Sequence, residues 1–186
     1  MAADDHRLEL QRRAKGNVVR SQADPAVEME FAKTFKYAGG QVLLLATERQ
    51  ALSPGLEILP RNVSNLDGNW ISGFHWIRKD SAPFRSIGFE TLAGWETEAV
   101  APTAVVRGVP PEKFGDVLAG MFYGWIHSNV GTLVQARYGR GRLLIATFSL
   151  PGAYGKDPYA TYLLDALVYY GLSDFRPRFE IQAGEH

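Results

Sequence analysis

The stretch QVLLLAT at positions 41–47 sets the first limit on what this chain can fold into. Its apolar residues run without a break from Val42 to Ala46, directly behind Gly39-Gly40. A strand with one wet face alternates apolar and polar residues, whereas a continuous run belongs to a strand buried on both faces, as in a parallel sheet covered by helices. A fragment of buried helix has the same periodicity, but the Gly-Gly start and the short length favour strand. Covering two faces of a sheet takes a sizeable core. A chain of 186 residues is long enough for one such core and too short for two ordinary domains.

The helices that would supply the cover are marked twice by Asp-Pro, a capping acid followed by a proline at the first helical position. Asp24-Pro25 opens a segment in which Val27, Phe31, Phe35 and Ala38 recur at a nearly constant step, so a helix is predicted over about 25–38. Asp157-Pro158 opens a second, where Ala160, Leu163, Leu164, Leu167 and Val168 fall on one face and Gly171 closes the run. NVVR (17–20) reads as a short strand, TAVVRGV (103–109) as a strand stopped by Pro110-Pro111, and PEKFGDVLAG as containing a short helix. GTLVQARYGRGRLLIATF (131–148) reads as two strands joined by a glycine turn. Residues 48–97, with Pro54, Pro60 and Pro83 and many aromatics, read mostly as long loops. Strands as apolar runs interleaved with such helices predict a three-layer α/β domain. Residues 1–16 read as a polar tail or linker, 17–174 as the domain, and 175–186 as a C-terminal tail.

Charge and composition narrow the partners. Twenty basic and twenty acidic side chains cancel, leaving no electrostatic footprint for nucleic acid or an anionic membrane. The apolar runs are far shorter than a membrane span, and the N-terminus shows no secretory signal pattern. With no cysteine there is no disulfide, thiolate metal site or cysteine nucleophile, and the compartment stays open.

Motifs for chemistry fail one after another. Gly139 and Gly141 begin a G-x-G-x-x-G pattern, but the third position is Leu144 and the pair opens a strand instead of a helix. Gly155-Lys156 lacks the rest of a P-loop: Leu150 stands where the first glycine belongs, and Asp157 where a Ser or Thr would bind magnesium. No G-x-S-x-G elbow occurs. His6, His75, His127 and His186 form no ligand pair, and acid pairs such as Glu96 with Glu98, or Glu28 with Glu30, have solvated faces as their ordinary reading. Asn62-Val63-Ser64 fits a glycosylation pattern that arises often by chance. No metal, cofactor or catalytic residue is therefore assigned. The aromatics are the one positive lead. Trp70, Trp76, Trp95 and Trp125, with Tyr123 and Tyr138, offer flat apolar faces on which the C–H face of a pyranose can stack, against the plainer reading that they fill core beneath the loops.

Three segments carry a family resemblance: DPAVEMEFAKTFKYAGGQVLLLAT, VLAGMFYGWIHSNVGTLVQARYGRGRLLIATFSL and GKDPYATYLLDALVYYG. Over about residues 17–172 the chain resembles the glutamine-amidotransferase-like domain near the C-terminus of some bacterial glycoside hydrolases, notably family 2 enzymes of the β-galactosidase type. The resemblance implies a flavodoxin-like, mostly parallel sheet with helices on both faces, here lacking its first βα unit or keeping a shortened one in LEL (8–10) and NVVR. It also implies an accessory role beside a catalytic barrel elsewhere in a longer polypeptide. The amidotransferase triad does not carry over: there is no cysteine, and Thr147-Phe148-Ser149-Leu150 stands where the family has its histidine. The two glycosidase carboxylates would lie in a barrel of about 250 residues, for which this chain has no room.

Three readings follow. The first is a non-catalytic accessory domain of a carbohydrate-active enzyme, serving inter-domain packing, oligomerisation or carbohydrate contact, with the rest of a parent hydrolase or a second copy as partner. A dimer is expected, because a truncated sheet leaves an unpaired edge. The second is a small carbohydrate-acting hydrolase with carboxylates from the 48–97 loops. The third is a stand-alone protein-interaction domain.

Overall fold

The computed structural model describes residues 17–21, 39–60, 74–85, 95–123 and 128–182. Among them are nine strands in one sheet. In chain order these are β1 (Asn17–Ser21), β2 (Gly40–Leu45), β3 (Gln50–Ser53), β4 (Leu56–Pro60), β5 (Phe74–Ile77), β6 (Ala104–Arg107), β7 (Val117–Tyr123), β8 (Ser128–Tyr138) and β9 (Gly141–Ala146). The described helices are a single turn, α1 (Ala82–Arg85), two 3-10 segments, Trp95–Val100 and Pro111–Asp116, and one long helix, α2 (Pro158–Gly171). The predicted helix over 25–38 lies outside the described residues.

The sheet runs β1-β2-β9-β8-β6-β4-β3, and β7 pairs with β8 while carrying β5. Only β1, β2 and β9 are parallel; the rest is antiparallel. This corrects the expectation of a three-layer, flavodoxin-like α/β fold with helices on both faces: the sheet is mixed and curls into a half-barrel. The reason is legible in the packing. One face does take a helix, as Leu43, Leu45, Leu144 and Ala146 pack on Ala160, Leu163, Leu164 and Leu167 of α2. On the other face Leu44, Ala46, Val134, Ala136 and Ile145 meet Leu56, Ile58, Ala104 and Val106, which belong to β4 and β6 of the same sheet. A sheet that curls over its own inner surface needs no helix there. The apolar run at 42–46 is buried on both faces as predicted, but its second cover is strand.

Local chemistry explains the elements that were foreseen. Asp157 Oδ1 accepts the Ala160 amide at 2.8 Å and Pro158 occupies the first turn, so α2 starts where its signal stands. Gly155 donates its amide to Thr161 Oγ1, and Lys156 Nζ donates to the Gly152 carbonyl, so the Gly-Lys pair builds the loop before the helix. Gly139, at φ 58, makes the β8–β9 turn. Within 48–60, expected as loop, β3 and β4 form a hairpin. Pro54 sits between its strands and Pro60 at its end, positions where a missing N–H breaks no ladder.

The C-terminal stretch forms a strap across one end of the sheet. Gln41, Arg142 and Arg137 are register partners on three adjacent strands. Gln41 donates to the Ser173 carbonyl, Arg142 to Asp174 and the Phe175 carbonyl, and Arg137 to Glu180. The Arg137 amide donates to the Phe179 carbonyl at 2.7 Å, and its carbonyl accepts from Ile181 at 2.8 Å, so the strap continues the β8 edge that β7 leaves. Phe179 and Ile181 are buried in the half-barrel interior.

At the handover lies Asp116, which is 5% exposed. Its Oδ2 accepts the Arg178 and Phe179 amides at 2.7 and 2.6 Å, and its Oδ1 accepts Gln135 Nε2 at 2.6 Å. Gln135 Oε1 in turn accepts the Tyr170 hydroxyl at 2.5 Å, tying strap, sheet and α2 together. Hydrogen bonds to a charged group contribute about 1.5–3 kcal/mol each, and a buried donor left unsatisfied costs a similar amount. Asp116→Ala should therefore lower stability by roughly 3–5 kcal/mol in urea unfolding. Amide exchange should accelerate most at Arg178, Phe179 and Ile181.

Burial, and then the nearby Asp116 charge, push the Tyr170 phenol above its ordinary value. A group whose pKa is raised by folding contributes stability that is complete below its unfolded pKa and lost as pH climbs through the folded one. Wild-type stability should thus fall above about pH 10. In Tyr170→Phe this alkaline loss should be smaller, measured by urea unfolding across pH 8–11.

Candidate functional site

Of the four tryptophans singled out for carbohydrate stacking, the structure places Trp76. Trp70 and Trp125 lie outside the described residues, as does the side chain of Trp95, whose backbone opens the 3-10 segment Trp95–Val100. The structure therefore does not bring the four together. What it builds instead is a ledge around Trp76 on the β5–β7 pair.

β5 lies antiparallel to β7, with Trp76 opposite Gly120 and His75 opposite Met121. The indole lies directly across Gly120: a Cβ placed there would stand 2.6 Å from the Trp76 ring and 2.3 Å from the Val130 carbonyl oxygen. A glycine facing an aromatic lets the ring cover bare backbone, which gains apolar contact a larger residue would forbid. Trp76 is partly buried and packs against the half-barrel interior, as does Phe114. Two residues beyond Gly120, Phe122 carries the aromatic surface outward, with ring centroids 6.3 Å apart and planes inclined by 38°. Phe122 is 41% exposed, a large apolar side chain left in water.

Arg78 completes the ledge. Its guanidinium carbon lies 5.8 Å from the Trp76 ring centroid. Its Nε donates to the Val117 carbonyl and its Nη2 to the Phe114 carbonyl, both at 2.8 Å. Its own carbonyl accepts the Ser81 amide and hydroxyl, closing the tight turn that leads into α1. The long side chain is thereby fixed beside the ring.

Phe122 and Arg78 were not among the residues nominated from sequence. VLAGMFY is a continuous apolar run, and as strand β7 it places Phe122 on the same face as Gly120; sequence alone assigns no strand there and sets Phe122 in no element. For Arg78 no sequence pattern gives a signal.

The other nominated groups do not gather. Tyr138 is partly buried against the inner core, and the side chain of Tyr123 lies outside the described residues. Among the carboxylates of 48–97, Glu57 is held by Arg107, with Arg49 at 3.9 Å. Asp80 and Glu48 are exposed, and the Glu96 side chain lies outside the described residues. Among the described residues, no group of three or more His, Cys, Asp or Glu could hold a metal ion. No described helix is long and apolar enough to cross a membrane. The buried Asp116–Gln135–Tyr170 chain is occupied in holding the strap.

The ledge is thus an edge-of-sheet aromatic surface with one fixed cation beside it, suited to stacking on a ring with a polar rim. Gly120→Ala tests its construction. The added methyl must displace both the indole and the neighbouring strand, so a loss of about 2–3 kcal/mol in urea unfolding is expected, with a change in Trp76 fluorescence. Neither a protein-family model nor a curated protein matches this chain.

Proposed function

We propose that the chain is a non-catalytic accessory domain of a carbohydrate-active enzyme of the glycoside hydrolase type, and that it meets saccharide at the Trp76–Phe122 ledge. The observation that supports the reading is a pair of aromatic rings on one face, the outer ring in water and the inner one seated on a glycine. Such a surface offers a pyranose an apolar face at little conformational cost, because both rings are already placed. The three segments that resemble the accessory domain of family 2 glycoside hydrolases supply the enzyme context. A second apolar surface suits packing against the rest of a parent polypeptide: Tyr162, Tyr169 and Leu172 stand on the outer side of α2 with exposures of 68%, 81% and 46%.

The test is a calorimetric titration of the purified chain against mono- and oligosaccharides, with hydrolysis followed in the same samples. Binding without turnover is expected, weakened about two- to tenfold in Phe122→Ala, since losing one stacked ring removes roughly 0.5–1.5 kcal/mol. Phe122 is 41% exposed, so the substitution should lower stability by only about 1 kcal/mol and leave the protein folded for the titration. Turnover would overturn the non-catalytic part, and absence of binding across the panel would remove the ledge as a saccharide contact.

A further inference from the structure

We infer that the saccharide taken by the ledge is an acidic one, a chain bearing uronate carboxylates, with Arg78 as the residue that selects it. The inference rests on the saccharide reading of the ledge and adds the ligand's charge. Its basis is the way Arg78 is held. A guanidinium carries five N–H donors in a rigid planar fork. Two groups of that fork, Nε and Nη2, are fastened to the Val117 and Phe114 carbonyls at 2.8 Å, which immobilises the side chain while its full charge remains. The donors left over still include an N–H on each terminal nitrogen, the pair that receives a carboxylate in two parallel hydrogen bonds.

The position of that fork matters as much as its charge. The guanidinium carbon stands over the Trp76 ring, 5.8 Å from its centroid, and the exposed Phe122 ring lies 6.3 Å from the same ring, so a sugar stacked on Phe122 at the margin of Trp76 meets the fork with its ring substituents. A neutral hydroxymethyl group there gains an ordinary hydrogen bond, whereas a carboxylate gains a charge-assisted pair.

The experiment compares a β-1,4-linked oligoglucuronate with the cello-oligosaccharide of equal length, by calorimetry on the full chain at low and at moderate salt. The oligoglucuronate should bind at least about tenfold more tightly, and the gap should narrow as salt rises. Arg78→Met keeps an apolar stem on the ring and should abolish the gap, the oligoglucuronate losing its charge-assisted pair while the neutral sugar loses only an ordinary hydrogen bond and weakens by a few-fold. Should that variant fail to fold, Arg78→Lys retains a charge without the fork and should reduce the gap severalfold. Equal affinity for the two sugars in the wild type, or a gap that survives Arg78→Met, would overturn the inference while leaving the saccharide reading intact. Failure of both sugars to bind, when another neutral saccharide binds in a Phe122-dependent manner, would likewise sink the acidic preference alone. Failure of every saccharide would bring down the reading beneath it as well.

Discussion

A single buried carboxylate decides how this fold is closed. Asp116 ends the 3-10 segment before β7 and receives two amides of the strap together with the side chain of Gln135. Without it, the Arg178 and Phe179 amides would sit unpaired in a part of the molecule shielded from water, which is costly for any backbone group. With it, the strap can follow the β8 edge, and Phe179 and Ile181 can enter the half-barrel. The same carboxylate reaches α2 through Gln135 and Tyr170, so the two faces of the sheet are coupled through one polar chain. Partly satisfied, such a network would be worse than an apolar core; fully satisfied, it fixes one arrangement.

The half-barrel follows from the way β8 is shared. Eleven residues long, it pairs with β9 along its later half and with β7 along its earlier half, and it touches β6 at Gly131. Register shifts between Val117 and Gly120 bend the β7–β8 pair. Bulges of this kind increase local twist and turn strands out of the plane, and β6, joined to β8 at Gly131, lies with β4 over the inner face of β2 and β9. The ledge is a by-product of the same geometry. Where β7 leaves the core, Gly120 provides a floor for Trp76, and the next outward residue, Phe122, remains exposed.

Much of the local structure could be read from residue order. The Asp157-Pro158 start of α2, its buried face, the glycine turn at 139, the strand at 104–107 and the apolar run at 41–47 all rest on interactions within a few residues, and each is where its signal stands. The errors have one physical origin. Prolines at 54 and 60 look like loop because a proline donates no hydrogen bond, yet at a turn and at a strand end none is asked of it. The apolar stretch before Tyr123 has no polar alternation to mark it as a strand, and with it went Phe122. Arg78 gave no warning, because its partners are carbonyls at Phe114 and Val117, more than thirty residues away.

The sequence by itself determined the start and buried face of α2, the β8–β9 turn, the strands at 40–45 and 104–107, and that its central run must be covered twice, because capping, turn formation and periodicity act over a few neighbouring residues. It could not determine what provides the second cover. A helix and a curled sheet bury an apolar run equally well, and the choice depends on register shifts and on a carboxylate at 116 meeting amides at 178 and 179. Those contacts exist only once distant parts of the chain have come together, so the half-barrel, the strap and the ledge belong to the tertiary structure.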